Sequence, residues 1–292
     1  MKEYIKKADI LIEALPYIQL FKDEIVVIKF GGSIQRSMES MTKVLQDIVF
    51  MRCIGWKPVV IHGGGPAISE AMEERDIKPE FVNGLRKTDK KTMDIVEDIL
   101  ANKINSQIVN IISRLNSKAT GISGRYKELL KVDKVIDNDT ASDIDYGYVG
   151  HIRKVNRQVV LDILNNGRIP VIAPIGVGDD NASYNVNADV AAGEIASSIG
   201  AIKLVYLTDT PGILEDPDDE NTLISTLTAK KTAQMLADGS IAGGMIPKVT
   251  SCLKALRFGV NKGHIIDGRM EHSLLLEIFT DKGIGTEIIN HG

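Results

Sequence analysis

"EIVVIKFGGS", residues 24–33, decides the fold of this chain. Four β-branched apolar residues, Ile25 to Ile28, lead into Lys29, Phe30 and then two bare glycines. Such a run has the length of a strand and the composition of one buried on both faces, as in a parallel sheet. "PVVIHGGGP" (58–66) repeats the plan. Further β-branched runs predict strands at 119–122, 169–173, 202–207 and 263–266, beside 25–30 and 58–62. Helical periodicity occupies 40–54, 66–75, 90–115, 155–166, 189–199, 228–238 and 245–258. In 90–115, Met93, Val96, Ile99, Leu100, Ile104, Ile108 and Ile111 define one apolar face. This alternation predicts an α/β fold with a mainly parallel sheet covered on both sides. Ligands of such sheets sit at the carboxyl ends of the strands, where both glycine clusters fall.

The 292 residues are 43% hydrophobic and 25% charged, enough for one large domain or two lobes. Net charge is −4 without a basic block, which argues against a nucleic-acid partner. No apolar stretch approaches the roughly 20 residues of a membrane span. The opening "MKEYIKKADILIEALPYI" is interrupted by Glu3, Asp9 and Glu13, so it lacks a signal-peptide core. Cys53 and Cys252 match no metal or redox spacing, which fits buried thiols in a reducing cytoplasm. No Pro/Gly/Ser-rich linker divides the chain. Residues 131–150 read as a loop or a β-hairpin lid, and 215–222 as a solvated loop. In residues 1–20, Ile5, Ala8, Leu11, Ile12, Leu15 and Ile18 line one side of a helix kinked at Pro16. That helix either caps the sheet or packs on another subunit.

The chemistry concentrates around the glycines. Stripped of side chains, successive N–H groups form a nest for an anion, and a helix start behind them adds its dipole. Two plain tight turns would read the same way, although two in equivalent places favour the nest. There is no G-x-x-x-x-G-K-[ST], no G-x-G-x-x-G and no D-F-G triplet. "GGMIPKV" (243–249) sets Lys248 against glycines, as "KFGGS" sets Lys29. Singly, each is an ordinary surface lysine; together they can neutralise a transferring phosphoryl group. Asp189, in "YNVNADVAAGEIA" (184–196), either caps a helix or holds the two lysines by charge. No histidine stands out as a base: His62 reads as structural, and His151, His272 and His291 as peripheral. A carboxylate acceptor needs no base, so this pattern favours an acyl phosphate product. Arg86, in "NGLRKTD" (83–89), suits a carboxylate or a plain surface position.

Nine strings in order, "VIKFGGS", "VVIHGGGP", "NGLRKTD", "PVIAPIGVG", "NVNAD", "LTDTPGIL", "GGMIPKV", "HIIDGR" and "LLLEIFTDKGIGTEI", resemble the amino acid kinase family along nearly the whole chain. The likeness is to the branch that phosphorylates the γ-carboxylate of N-acetyl-L-glutamate with ATP and magnesium in arginine biosynthesis. It implies a three-layer αβα sandwich with an open, mostly parallel sheet of about eight strands. One domain, 1–292, would comprise a kinked helix (1–21), an N-lobe (22–180) for acetylglutamate and dimerisation, and a C-lobe (181–292) for the nucleotide. By resemblance, Lys29 and Lys248 stabilise the transition state and Asp189 orients them. Gly64 and Gly65 contact acetylglutamate and the travelling phosphoryl group, Arg86 clamps the α-carboxylate, and Asn185 meets polar groups near the α-carbon. Gly32, Thr208, Asp209, Gly212, Gly244 and Met245 line the nucleotide side. Magnesium is held largely by phosphates and water, so no protein ligand is named.

The amino-terminal helix resembles the extension of arginine-inhibited members, in which such helices interlace dimers into a hexamer, a trimer of dimers. This implies an arginine site at Tyr17, Lys203, His264, Glu277 and Gly285. Glu277 would receive a guanidinium and Lys203 a carboxylate; ordinary ion pairs are the alternative. The chain departs from the family pattern at "RYKELL" after Gly124, at the long "EDPDDEN" and in "RFGVNKGHIIDG". Other readings are a kinase of acetylaminoadipate or of carrier-bound glutamate, a non-catalytic arginine sensor, and, more weakly, a dinucleotide-dependent dehydrogenase.

Overall fold

The two glycine-ended runs become neighbours at the centre of a sheet. The computed structural model describes residues 4–5, 9, 12–136, 144–279 and 283–290. In chain order the strands are β1 Ile25–Phe30, β2 Lys57–His62, β3 Phe81–Val82, β4 Leu85–Arg86, β5 Ala119–Ser123, β6 Leu130–Ile136, β7 Asp145–Val155, β8 Ile169–Ala173, β9 Ile175–Val177, β10 Ser183–Asn185, β11 Lys203–Thr208, β12 Thr226–Thr228, β13 Lys262–Asp267 and β14 Thr286–Ile289. The helices are α1 Leu15–Leu20, α2 Ser33–Arg36, α3 Met38–Cys53, α4 Gly65–Glu73, α5 Lys90–Glu97, α6 Asn105–Arg114, α7 Arg157–Asn165, α8 Ala188–Ile199, α9 Ala229–Ala237, α10 Met245–Arg257 and α11 Ser273–Phe279.

Eight strands form the main sheet in the order β12-β14-β13-β11-β1-β2-β8-β5. The ladders from β13 to β5 are parallel, and β14 joins β13 antiparallel. Alternation along β1 explains why its sequence is apolar throughout. Val26, Ile28 and Phe30 face one core, shared with α3, α4, α5, α6 and α11. Val27 faces the other, shared with α7, α8, α9 and α10. Helices thus cover both faces, giving three layers, as expected.

Every strand and helix expected from periodicity between residues 25 and 266 is present, and of the helix expected over 1–20 the described residues include α1, Leu15–Leu20. The expected helix 90–115 carries a π-helical segment, Asp98–Ile104, between α5 and α6. All seven residues of its predicted apolar face are buried. The elements without a sequence signature are short: α2, α11, β3, β4, β9, β10, β12 and β14. Residues 130–136 and 145–155 do pair antiparallel, with 137–143 outside the described residues. With β9 and β10, strands β6 and β7 close a small barrel. Residues 215–221 are exposed, as expected of a solvated loop.

Pro16 lies in the first turn of α1, where its missing N–H costs nothing, and the break falls at Ala14. Ala8 and Leu11 lie outside the described residues, but Ile5, Ile12 and Leu15 are exposed. These three therefore do not cap the sheet. After α1, Phe21 meets the fully buried Trp56 edge-on, with ring centroids 4.8 Å apart. Trp56 stacks on Phe279 at 6.0 Å, joining this corner to α11. Among the described residues no helix is long and apolar enough to cross a membrane.

Candidate active site

Because β1 and β2 are parallel neighbours, their glycine loops leave the sheet side by side. The Gly63 N–H donates to the Phe30 carbonyl at 2.8 Å. A Cβ on Gly31 would stand only 3.3 Å from the Gly63 Cα. Gly32 has φ +61° and passes so near Asp209 that a Cβ would come 2.8 Å from its Oδ2. A side chain on Gly64 would overlap Leu100 of the π-helical segment. Bare backbone is therefore a packing requirement at these loops as well as a means of exposing N–H groups. Gly65 faces open space and begins α4, with Pro66 in its first turn.

Three charged side chains from three elements meet beside these loops. Asp189 Oδ1 is 2.7 Å from Lys29 Nζ on β1, and Asp189 Oδ2 is 2.8 Å from Lys248 Nζ on α10. All three are largely buried, with side-chain exposures of 8%, 12% and 16% for Asp189, Lys29 and Lys248. Asp189 is not the helix cap. Asn187 caps α8, accepting from the N–H groups of Asp189 and Val190 at 2.8 and 3.2 Å. That frees the Asp189 carboxylate for the lysines. Burial alone would push its pKa up, but the charges of Lys29 and Lys248 outweigh burial and hold it below the ordinary value. Two ammonium groups against one carboxylate leave a surplus positive charge in a site shielded from water. Such a site attracts an anion and stabilises charge developing on it.

Lys29, Gly32, Gly64, Gly65, Arg86, Asn185 and Asp189 line one cleft. Arg86 is buried, its guanidinium 4.6 Å over the Phe81 ring. Its Nη2 donates to the Gly65 carbonyl at 2.9 Å and the Ser69 hydroxyl at 2.8 Å. Burial lowers its pKa from the ordinary value. β10 pairs with β7 so that Asn185 stands beside Val149 on the opposite wall. Thr88, which sequence reasoning passed over, links the two polar residues. Its hydroxyl donates to the Arg86 carbonyl at 2.7 Å, and the Thr88 Oγ1 accepts from Asn185 Nδ2 at 3.4 Å. Thr88 is fully buried in the motif that drew attention to Arg86, so its neighbourhood was the available signal.

The other expected nucleotide residues do not line this cleft. Thr208 ends β11 with Asp209 following, Gly212 packs against Thr286, and Gly244 and Met245 begin α10. Of these, Gly244 offers its carbonyl to Lys248 Nζ at 3.1 Å, and Asp209 lies beside Gly32. His62 is wholly buried between the Gly63 carbonyl, 3.0 Å from Nδ1, and Asn105 Nδ2, 3.2 Å from Nε2. Burial pushes its pKa down to about 4, against the backbone hydrogen bond, so it is a neutral structural group. His151 is exposed on β7 and His291 lies outside the described residues. His272, half exposed, pairs with the buried Asp47 at 2.6 Å and lines neither this cleft nor the one beside α1.

A second cleft opens beside α1. Tyr17, Lys203, His264 and Glu277 line it, with Lys262 and Glu287. Gly285 is not in its wall but donates its N–H to Glu277 Oε2 at 3.1 Å. Glu277 Oε1 is 2.7 Å from His264 Nδ1. Burial brings Lys203 down to about 8, and its Nζ sits 4.7 Å over the Phe21 ring.

The chain is 47% identical over 289 residues to a protein of Halothermothrix orenii named acetylglutamate kinase, covering 99% of both. It is 51% identical to the acetylglutamate kinase of Thermoanaerobacter pseudethanolicus, covering 97% of this chain and 93% of that one. Among solved structures it resembles N-acetylglutamate synthase from Neisseria gonorrhoeae complexed with coenzyme A and N-acetyl-glutamate, with TM-score 0.85 and 28% identity. That match covers 98% of this chain, which spans 64% of the synthase chain. Residues 24–267, from the first glycine-ended strand to the end of β13, match the model of the amino acid kinase family, and the chain belongs to that family.

Proposed function

We propose that this protein transfers the γ-phosphoryl group of ATP to the γ-carboxylate of N-acetyl-L-glutamate, giving N-acetylglutamyl 5-phosphate in arginine biosynthesis. The observation that carries the reading is the buried Lys29–Asp189–Lys248 cluster, whose Lys29 and Asp189 line a cleft with Gly64, Gly65 and Arg86. The relatives named acetylglutamate kinase support the choice of acid.

A carboxylate oxygen of the substrate forms a bond to the γ-phosphorus as the bond to the β–γ bridging oxygen breaks, and ADP leaves with that electron pair. The acceptor is already ionised, so no proton moves and no base is required. Lys29 and Lys248 meet the charge on the equatorial and leaving oxygens, and Asp189 keeps both ammonium groups aimed there. The Gly64–Gly65 backbone borders the travelling group. Arg86 binds the α-carboxylate, Asn185 meets the groups around the α-carbon, and Gly32, Thr208, Asp209, Gly212, Gly244 and Met245 surround the nucleotide. In this reading 22–180 holds the acid and the dimer contact, and 181–292 the nucleotide. Magnesium neutralises phosphate charge when bound. Among the described residues no three His, Cys, Asp or Glu side chains gather to cage a metal. In this reading the ion is carried on phosphate and water ligands. The compartment is the cytoplasm, where exposed Cys53 and buried Cys252 remain thiols.

Coupled ADP release with N-acetylglutamate tests the substrate. Clear preference for N-acetylaminoadipate would overturn it.

The second cleft supports feedback inhibition by arginine. Glu277 would take the guanidinium and Lys203 the carboxylate, with Tyr17, His264 and Gly285 completing the site. Exposed Ile5, Ile12 and Leu15 support assembly through the amino-terminal helix into a hexamer, a trimer of dimers. Deleting residues 1–20 is expected to preserve turnover while abolishing hexamers and arginine inhibition. Light scattering and assays with arginine check this, and a truncated protein still hexameric would refute the assembly role.

A further inference from the structure

Tyr206 has no part in the chemistry above, and its position in "KLVYLT" reads as core. It is fully buried in the apolar layer beneath α8 and α10. A phenylalanine would fill the same space, so the hydroxyl is what needs explaining. The β1–β11 register pairs Tyr206 with Lys29, which sends both side chains out of the sheet on the same face. The phenol donates a 2.8 Å hydrogen bond to the main-chain carbonyl of Asp189. Ser251, three residues beyond Lys248 on α10, lies near enough to the phenol to favour its charged form, although burial dominates. At this level α8 and α10 nearly touch: a Cβ on Gly193 would come 2.8 Å from the Ser251 Cβ. Burial raises the phenol's pKa well above its ordinary value, so it stays a neutral donor.

We infer that Tyr206 is a positioning residue for phosphoryl transfer, its hydroxyl fastening the start of α8 to the strand beside Lys29. Asp189 is then held at every polar point: its N–H by Asn187, its carbonyl by Tyr206 and its carboxylate by the two lysines. The spacing of the two ammonium groups depends on how three separate elements are joined, and Tyr206 ties two of them together: it neighbours Lys29 across the β1–β11 ladder and bonds the Asp189 carbonyl on α8. Misplacement of charged groups lowers the rate of the chemical step more than it lowers ground-state affinity.

This inference rests on the phosphoryl-transfer reading, and its test separates the two. Tyr206→Phe keeps the ring and removes one neutral hydrogen-bonding group. It is expected to lower kcat about three- to tenfold, leaving KM for both substrates within about twofold. A side chain that only supports the core would lower the melting temperature without changing kcat per folded molecule. Combined with Lys248→Ala, the Tyr206→Phe effect on kcat should vanish, because the cluster it serves is already broken. An unchanged kcat, or the same proportional loss on both backgrounds, overturns the inference. If the wild-type protein released no ADP with N-acetylglutamate, the substrate reading would fall, and a crystal structure of Tyr206→Phe would still decide this one. Lysine–Asp189 separations opened beyond hydrogen-bonding range support it, and separations unchanged from 2.7 and 2.8 Å overturn it.

Discussion

Lys248→Ala is expected to reduce kcat by roughly 10²- to 10³-fold, the cost of removing one aimed donor from a water-poor site. KM for ATP and for the acid should move by less than about threefold, because the ammonium matters most as charge redistributes in the transition state. The position of Lys248 is the reason for so large an effect. Its Nζ reaches Asp189 from α10, opposite Lys29 on β1, and no other lysine or arginine makes an ion pair with that carboxylate among the described residues. Steady-state ADP release measures both constants. Near-normal turnover would remove Lys248 from the mechanism.

Asp189→Asn should damage stability as well as rate. The variant leaves two largely buried ammonium groups facing each other across a neutral amide. Breaking a buried ion pair by removing one partner costs about 3–5 kcal/mol. For a chain of this size that lowers the melting temperature by roughly 5–8 °C. The dependence on pH has a defined sign. Asp189 titrates below its unfolded value of 3.8, so its contribution is complete above that value. It is lost as pH falls through the depressed folded value. The gap between wild type and variant should therefore be full at neutral pH and close in strong acid. Thermal unfolding across that range provides the comparison, and equal melting temperatures at neutral pH would contradict the clamp. Turnover should fall at least as far as in Lys248→Ala, since both lysines lose their aim.

Much of this molecule could be read before its structure was seen, and the exceptions have physical causes. β1 and β2 were legible because a strand buried on both faces has only apolar residues to offer, and its end shows where they stop. Lys29, Asp189 and Lys248 were legible through their glycine and asparagine surroundings, although 219 positions separate the two lysines. The π-helical turn at Asp98–Ile104 was invisible because one added residue barely disturbs a pattern of period 3.6. Thr88 and Tyr206 escaped notice because each hides a single hydroxyl inside a stretch whose other features explain its burial. Asn187, not Asp189, proved to be the helix cap, a choice that two similar side chains two positions apart do not reveal. The short strands β9, β10, β12 and β14 owe their existence to their neighbours. Three or four residues carry too little alternation to announce a strand alone.

The chain has a single tryptophan, Trp56, packed between Phe21 and Phe279. Phe21 also walls the second cleft, beneath the ammonium of Lys203. Indole emission therefore arises from this one corner alone, and a small molecule settling there would announce itself as a change of colour or brightness, without labels and without turnover.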